Sequence, residues 1–109
     1  MTQTPAHQSP VRTTRMRRYT LDPALADEFV EFLEAEVFPA RERRGFTVES
    51  VWLATDKDEL TWYVSYPGEP AEFDAAESDW EGSAERERIF SGRPKYVLAK
   101  DLRPVNRLR

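Results

Sequence analysis

The residues of this chain best suited to chemistry are an arginine and two tyrosines: Arg17, Tyr19 and Tyr66. Arg17 and Tyr19 stand two apart on a segment that alternates as a strand, so they share a face. A strand-centre arginine is costly to bury without an anionic or hydrogen-bonding partner. In an apolar chamber its guanidinium would hold an enolate or a carboxylate, and the hydroxyl of Tyr19 or Tyr66 would carry a proton. Ser50, Trp52, Trp62 and Tyr63 are the residues to line such a chamber and stack on a flat, apolar, oxygenated molecule. The two faces of a strand cannot both point inward, so some of these belong to the core. Enolate stabilisation serves a metal-free oxygenase, an isomerase or a cyclase alike. The same residues also suit a purely structural role, with Arg17 paired to an acid of a Glu-rich helix and the aromatics buried as core or subunit contacts.

Other chemistries lack their residues. The 109-residue chain has no cysteine, which removes disulfides, thiolate metal sites, iron–sulfur clusters and a cysteine nucleophile. His7 is the sole histidine and falls in the N-terminal stretch, so a haem ligand, a Ser-His-Asp triad or a multi-histidine metal site inside the domain is not expected. No glycine-rich phosphate loop occurs. Glu28, Glu31, Glu34 and Glu36 read as a solvated helix face, not a metal cluster. Neither a cofactor nor a metal is therefore expected. The net charge of −4 hides a basic start (four arginines and no acid before Tyr19) and a basic end flanking an acidic body. The basic residues are scattered, not striped along a helix, so a nucleic-acid partner is not expected. No apolar run approaches the roughly 18 residues of a membrane helix, and residues 1–14 lack a signal-peptide core. A small secreted domain would usually need staples; their absence points to the cytoplasm.

The elements that must position these residues follow from periodicity. Residues 1–14, with Pro5, Pro10 and no pattern, read as a flexible tail. Arg15–Leu21 alternates as a first strand. Asp22 is a natural N-cap and Pro23 suits the first helical position. Leu25, Phe29, Phe32, Leu33 and Val37 then recur at helical spacing. Arg41, Arg43 and Arg44 fall in the last turn, where the dipole favours cations, and Gly45 suits the residue after it. Pro39 should kink this helix or open a separate last turn. Phe46–Thr55 and Leu60–Tyr66 alternate around a polar turn and read as a hairpin. Strict alternation places Phe46, Val48, Ser50 and Trp52 on one face, with Thr47, Glu49, Val51 and Leu53 on the other. Residues 71–80 and 84–90 suit helices, the second capped by Ser83. Lys95–Lys100 suits a last strand, and residues 101–109 an arm.

A βαββαβ order implies one α+β domain over residues 15–100, ferredoxin-like, with a four-stranded antiparallel sheet and its helices on one face. Large apolar residues on both faces of the middle strands would leave an exposed apolar patch of a kind that soluble monomers avoid. Two sheets facing each other in a homodimer would cover it.

The run Arg15-Met16-Arg17-Arg18-Tyr19-Thr20-Leu21, then Pro23, a Phe/Leu helix ending Phe38-Pro39, and Gly45-Phe46 resembles the NIPSNAP family of the dimeric α+β barrel superfamily. In such sequences the first strand typically reads Glu-x-Arg-x-Tyr-x-Leu. Arg17, Tyr19 and Leu21 match it, whereas Arg15 stands where Glu is usual. Tyr66, Trp80 and Ser83-Ala84-Glu85-Arg86 add to the likeness, which spans about residues 15–100. The resemblance implies a dimeric α+β barrel holding a small aromatic or polyketide-like molecule in the barrel. Relatives on that barrel include cofactor-independent monooxygenases, isomerases, cyclases and haem enzymes. Two classes stay open: a small cofactor-independent enzyme of secondary metabolism, and a non-catalytic ligand-binding or protein-interaction module.

Overall fold

A computed structural model describes residues 11–109. The elements run β1 (Arg12–Leu21), α1 (Pro23–Phe32), a wide helical turn (Leu33–Val37), α2 (Phe38–Arg43), β2 (Thr47–Leu53), β3 (Glu59–Pro67), α3 (Pro70–Glu81), α4 (Ala84–Phe90) and β4 (Val97–Val105). The strands form one antiparallel sheet in the order β2-β3-β1-β4. This is the expected α+β, ferredoxin-like arrangement. His7 and most of the expected N-terminal tail lie outside the described residues.

Local chemistry sets the helix boundaries. The Asp22 carboxylate accepts the Ala24 N–H at 2.9 Å, and Pro23 follows at the first helical position. Pro39 is accommodated one turn upstream. The helix widens over Leu33–Val37, and the Phe38 N–H reaches the Leu33 carbonyl. A proline has no N–H to give and its ring crowds the preceding turn, so a widened turn there lets α1 and α2 continue as one rod. Gly45 ends the rod at φ +99°, and a Cβ there would lie 3.1 Å from the Tyr66 ring. Ser83 accepts the Arg86 N–H at 3.1 Å and starts α4.

Two strand readings need correction. β1 begins at Arg12, so Arg12 to Thr14 belong to the sheet and not to a tail. β4 runs on to Val105, so residues 101–105, expected as an arm, complete the sheet. Pro104 is tolerated because β4 is an edge strand, where a missing donor leaves no ladder bond unmade on the outer side.

A third correction matters more. The register of β2 against β3 shifts between Val48 and Ser50, so Glu49 is bulged. Beyond the bulge every side chain changes face. Val48 pairs with Val64, Val51 with Trp62 and Leu53 with Leu60, all on the helix side. Phe46 is also buried on that side, against Tyr66 and Phe73. Ser50, paired with Tyr63, and Trp52, paired with Thr61, are left on the open face. The open face is accordingly less apolar than strict alternation implied. The main core, from Leu21 and Phe29 to Trp62 and Trp80, sits between sheet and helices, and Met16 is buried on the other face of β1.

Candidate functional site

The helix side of β1 presents Thr13, Arg15, Arg17, Tyr19 and Leu21 in period two. Arg17 is buried and its Nε donates to the Tyr19 hydroxyl at 2.7 Å. Its Nη1 donates to Glu77 at 3.3 Å, and its guanidinium lies 5.7 Å from the Trp62 ring centre.

A second arginine meets it from the helices. Leu33, Val37 and Arg41 recur every four residues and all face the same hollow. Arg41 is only 2% exposed. Its two terminal nitrogens grip both oxygens of Glu77, at 2.8 and 2.9 Å, in a bidentate fork. Three aromatic rings surround its guanidinium: Phe46 at 5.0 Å, Trp62 at 5.3 Å and Trp80 at 5.5 Å. Glu77 reaches both arginines because α3 turns Phe73, Glu77 and Trp80 to one side. The shorter, two-point contact makes Arg41 its main partner, and Arg17 the secondary one.

Electrostatics follow from this arrangement. Burial alone would raise the Glu77 carboxyl, but hydrogen bonds and charge from Arg41, then Arg17, outweigh it and hold the group below its ordinary 4.5. For Arg17, burial works against the charge; the Tyr19 hydroxyl, then Glu77 and Glu81, more than compensate and raise it. Both groups stay charged at neutral pH.

Between these residues and α1 lies a cavity of about 270 Å³. Arg17, Arg41 and Trp62 form its buried end; Phe29, Leu33 and Tyr96 wall it; Glu81, Lys95 and Lys100 are exposed at its mouth. Among the described residues, two buried side-chain nitrogens have no hydrogen-bond partner: Arg41 Nε and Trp62 Nε1. Buried donors are rarely left so. Both residues line this one cavity. Tyr96 donates its hydroxyl to Glu28 and so ties the segment before β4 to α1.

The sheet divides the seven residues singled out from the sequence. Arg17, Tyr19 and Trp62 come together in the cavity. Tyr66 shares their face but packs on Phe46 and beneath Gly45, away from the cavity. Ser50 and Tyr63 line a wider cleft of about 1210 Å³ on the opposite side, beside Arg12, Glu49 and Arg107. Trp52 is 64% exposed on that same face, its indole N–H on Ser50. Sequence reasoning missed Arg41, taken there as a cation at a helix end, and Glu77. The signal for Arg41 was its place four residues after Val37 on the apolar stripe.

No protein-family model matches the sequence, and no curated protein matches it. Solved structures do. A NIPSNAP domain protein from Burkholderia xenovorans superposes with a TM-score of 0.74 at 10% identity, covering 87% of this chain and 93% of that one. A NIPSNAP family protein from Agrobacterium tumefaciens gives 0.76 at 6% identity, covering 88% and 92%. The chain has the NIPSNAP fold. A candidate antibiotic biosynthesis monooxygenase from Bacteroides thetaiotaomicron follows at 0.67 and 18% identity, covering 90% of both chains. At these identities the NIPSNAP likeness is one of architecture, and the chemistry must be argued from the side chains. Among the described residues no group of His, Cys, Asp and Glu could hold a metal ion, and no helix is long and apolar enough to cross a membrane.

Proposed function

We propose that this chain is a NIPSNAP-family protein that binds a small apolar or aromatic, polyketide-like metabolite in the chamber between its sheet and its helices. The supporting observation is an aromatic cavity of about 270 Å³ with the buried Arg17 and Arg41 at its closed end. An oxygenated ring system would stack on the aromatic walls with its oxygens toward that charged end. The chamber lies between sheet and helices, whereas the sequence-based expectation put the ligand inside a barrel closed by two sheets.

The same geometry suits cofactor-independent catalysis. Arg17 would stabilise an enolate, and Tyr19, hydrogen-bonded to it, would carry the proton. That step is shared by a monooxygenase, an isomerase and a cyclase of secondary metabolism. Tyr66 is not among the residues that line the cavity and packs on Phe46, so Tyr19 takes the proton role in this reading. The open sheet face, with Trp52 exposed, is where two copies would pair into a dimeric α+β barrel in the cytoplasm.

Trp62 and Trp80 line the chamber, so ligand entry should quench tryptophan fluorescence. In a Trp52→Phe background, 2-naphthol should quench saturably, and 1,4-dihydroxynaphthalene should consume dioxygen with no added cofactor, faster than it autoxidises in protein-free buffer. Saturable binding without turnover would assign the chain to the non-catalytic module class. No saturable change with either probe would sink the chamber reading. Sedimentation should show a dimer that Trp52→Glu dissociates; a stable monomer at micromolar concentration would end the barrel proposal.

A further inference from the structure

Accepting the chamber as a binding site, its charge still separates one ligand class from another. Five cations line it: Arg17, Arg41, Arg86, Lys95 and Lys100. Glu81 is the one carboxylate in the lining, and Glu77 is spent on the two buried arginines. The cavity therefore carries an excess of three positive charges inside a protein whose formal net charge is −4. The excess is graded. At the buried end two guanidiniums share the one carboxylate in contact with them, and the exposed Glu81 acts on Arg17 only through its charge, which leaves one positive charge largely out of water with no carboxylate of its own. A buried charge without a counter-ion is expensive. At the mouth, Lys95 and Lys100 are exposed, and among the described residues neither they nor Arg86 make an ion pair.

We infer that the ligand is an organic monoanion, an aryl carboxylate or a group of like shape and charge. It enters past Lys95 and Lys100 and turns its two oxygens toward the buried end formed by Arg17, Arg41 and Trp62. Its charge balances the buried guanidinium that Glu77 leaves over. Its ring occupies the space between Phe29, Leu33 and Tyr96. Cations at the mouth concentrate anions and speed their entry; the buried pair fixes the acid group. Neutral ring compounds would stack in the same space but leave the inner charge unmet.

Three acids (benzoate, 3-phenylpropionate and 2-naphthoate) and their three primary amides test this by calorimetry on the full chain at neutral pH. Each amide keeps its acid's shape and loses the charge. The inference expects at least one acid to bind at least about tenfold tighter than its amide. It expects that preference to shrink as salt is raised to about 0.5 M, and to fall several-fold in the doubly substituted Lys95→Ala, Lys100→Ala protein, whose exposed positions do not threaten the fold. Amides that bind as tightly as the acids would overturn the inference and leave the chamber reading standing. If neither acids nor amides bind, the chamber reading itself falls. Acids that keep their preference unchanged at high salt and in the double variant would remove the cationic mouth from the argument and overturn the entry route.

Discussion

Arg17 and Arg18 are consecutive residues on one strand and live in different solvents. Arg17 points to the helices, where its side chain is 9% exposed and meets Tyr19, Glu77 and Trp62. Arg18 points the other way, 44% exposed, with Glu59 at 3.9 Å. The difference is one residue of pleat. It teaches that on this sheet the side chain's face, and not its type, decides whether a charge joins a buried, partnered cluster or only solvates a surface. The same divide separates Trp62, buried against two arginines, from Trp52, exposed on the open face.

The comparison breaks most sharply at Glu77. Glu77→Ala strands two buried guanidiniums on the helix side. It should cost about 3–5 kcal/mol, a drop of more than about 10 °C in melting temperature for a domain of this size. Arg18→Ala, on the other face, should stay within about 0.5 kcal/mol. Thermal melts of the two variants side by side check this. Equal effects would mean the buried cluster contributes no more than a surface pair.

Acid sharpens the same contrast. Glu77 is held below its ordinary 4.5 in the folded protein, chiefly by Arg41 once burial is overcome. A carboxyl with a depressed folded value contributes stability that is full above its unfolded value and is lost as pH falls through the folded one. The gap in stability between wild type and Glu77→Gln should therefore be constant from neutral pH to about 5 and narrow below 4.5. Denaturant midpoints across that range measure it. A gap that is flat down to pH 3 would show that Glu77 does not carry the charge.

Arg17→Met separates structure from binding. Glu77 keeps the Arg41 fork in that variant, so no carboxylate is left alone, and the Tyr19 hydroxyl loses one partner. Stability should change by only about 1 kcal/mol, while ligand affinity falls by at least about tenfold. A steep loss of melting temperature with unchanged affinity would discard a ligand role for Arg17.

The fold was legible from the sequence because each element carries its own local signal. Period two in β1, the Asp22-Pro23 start, the apolar stripe from Leu25 to Val37 and the Ser83 cap are all properties of near neighbours. The site was legible only in part. Arg17, Tyr19 and Trp62 lie on regular strands, where alternation holds. Arg41 and Glu77 meet across 36 residues, and nothing near either one in sequence says so. Arg41 also sits where a cation at a helix end has an ordinary explanation. Residues 101–109 read as an arm because the tolerance of Pro104 in a strand depends on β4 being an edge, a property of the whole sheet. Ser50 and Trp52 were grouped with Val48 because a bulge is a single extra residue that no periodicity announces.

That bulge yields the smallest and most pointed test. Thr47, Val48, Ser50, Val51, Trp52 and Leu53 alternate outward and inward without interruption once Glu49 is left out. The extra residue is all that disturbs the pattern. Deleting Glu49 should therefore give a regular strand with the same faces. Its cost is the Ser65 hydroxyl's hydrogen bond to Glu49, part of a cluster in which Arg12 still reaches Ser65, and an exposed 3.9 Å ion pair with Arg107. About 1 kcal/mol is the expected loss. Deleting Val51 is the control. It takes an inward valine out of the strand, so that either the bulge stays and Trp52 turns inward with Leu53 outward, or the bulge closes and Ser50 turns inward in the valine's place. That protein should fold poorly or not at all. Melting curves for the two deletions decide the matter. If losing Glu49 is as damaging as losing Val51, the bulge is required in its own right, for the twist it gives β2, and the two faces of that strand are not set by side-chain alternation.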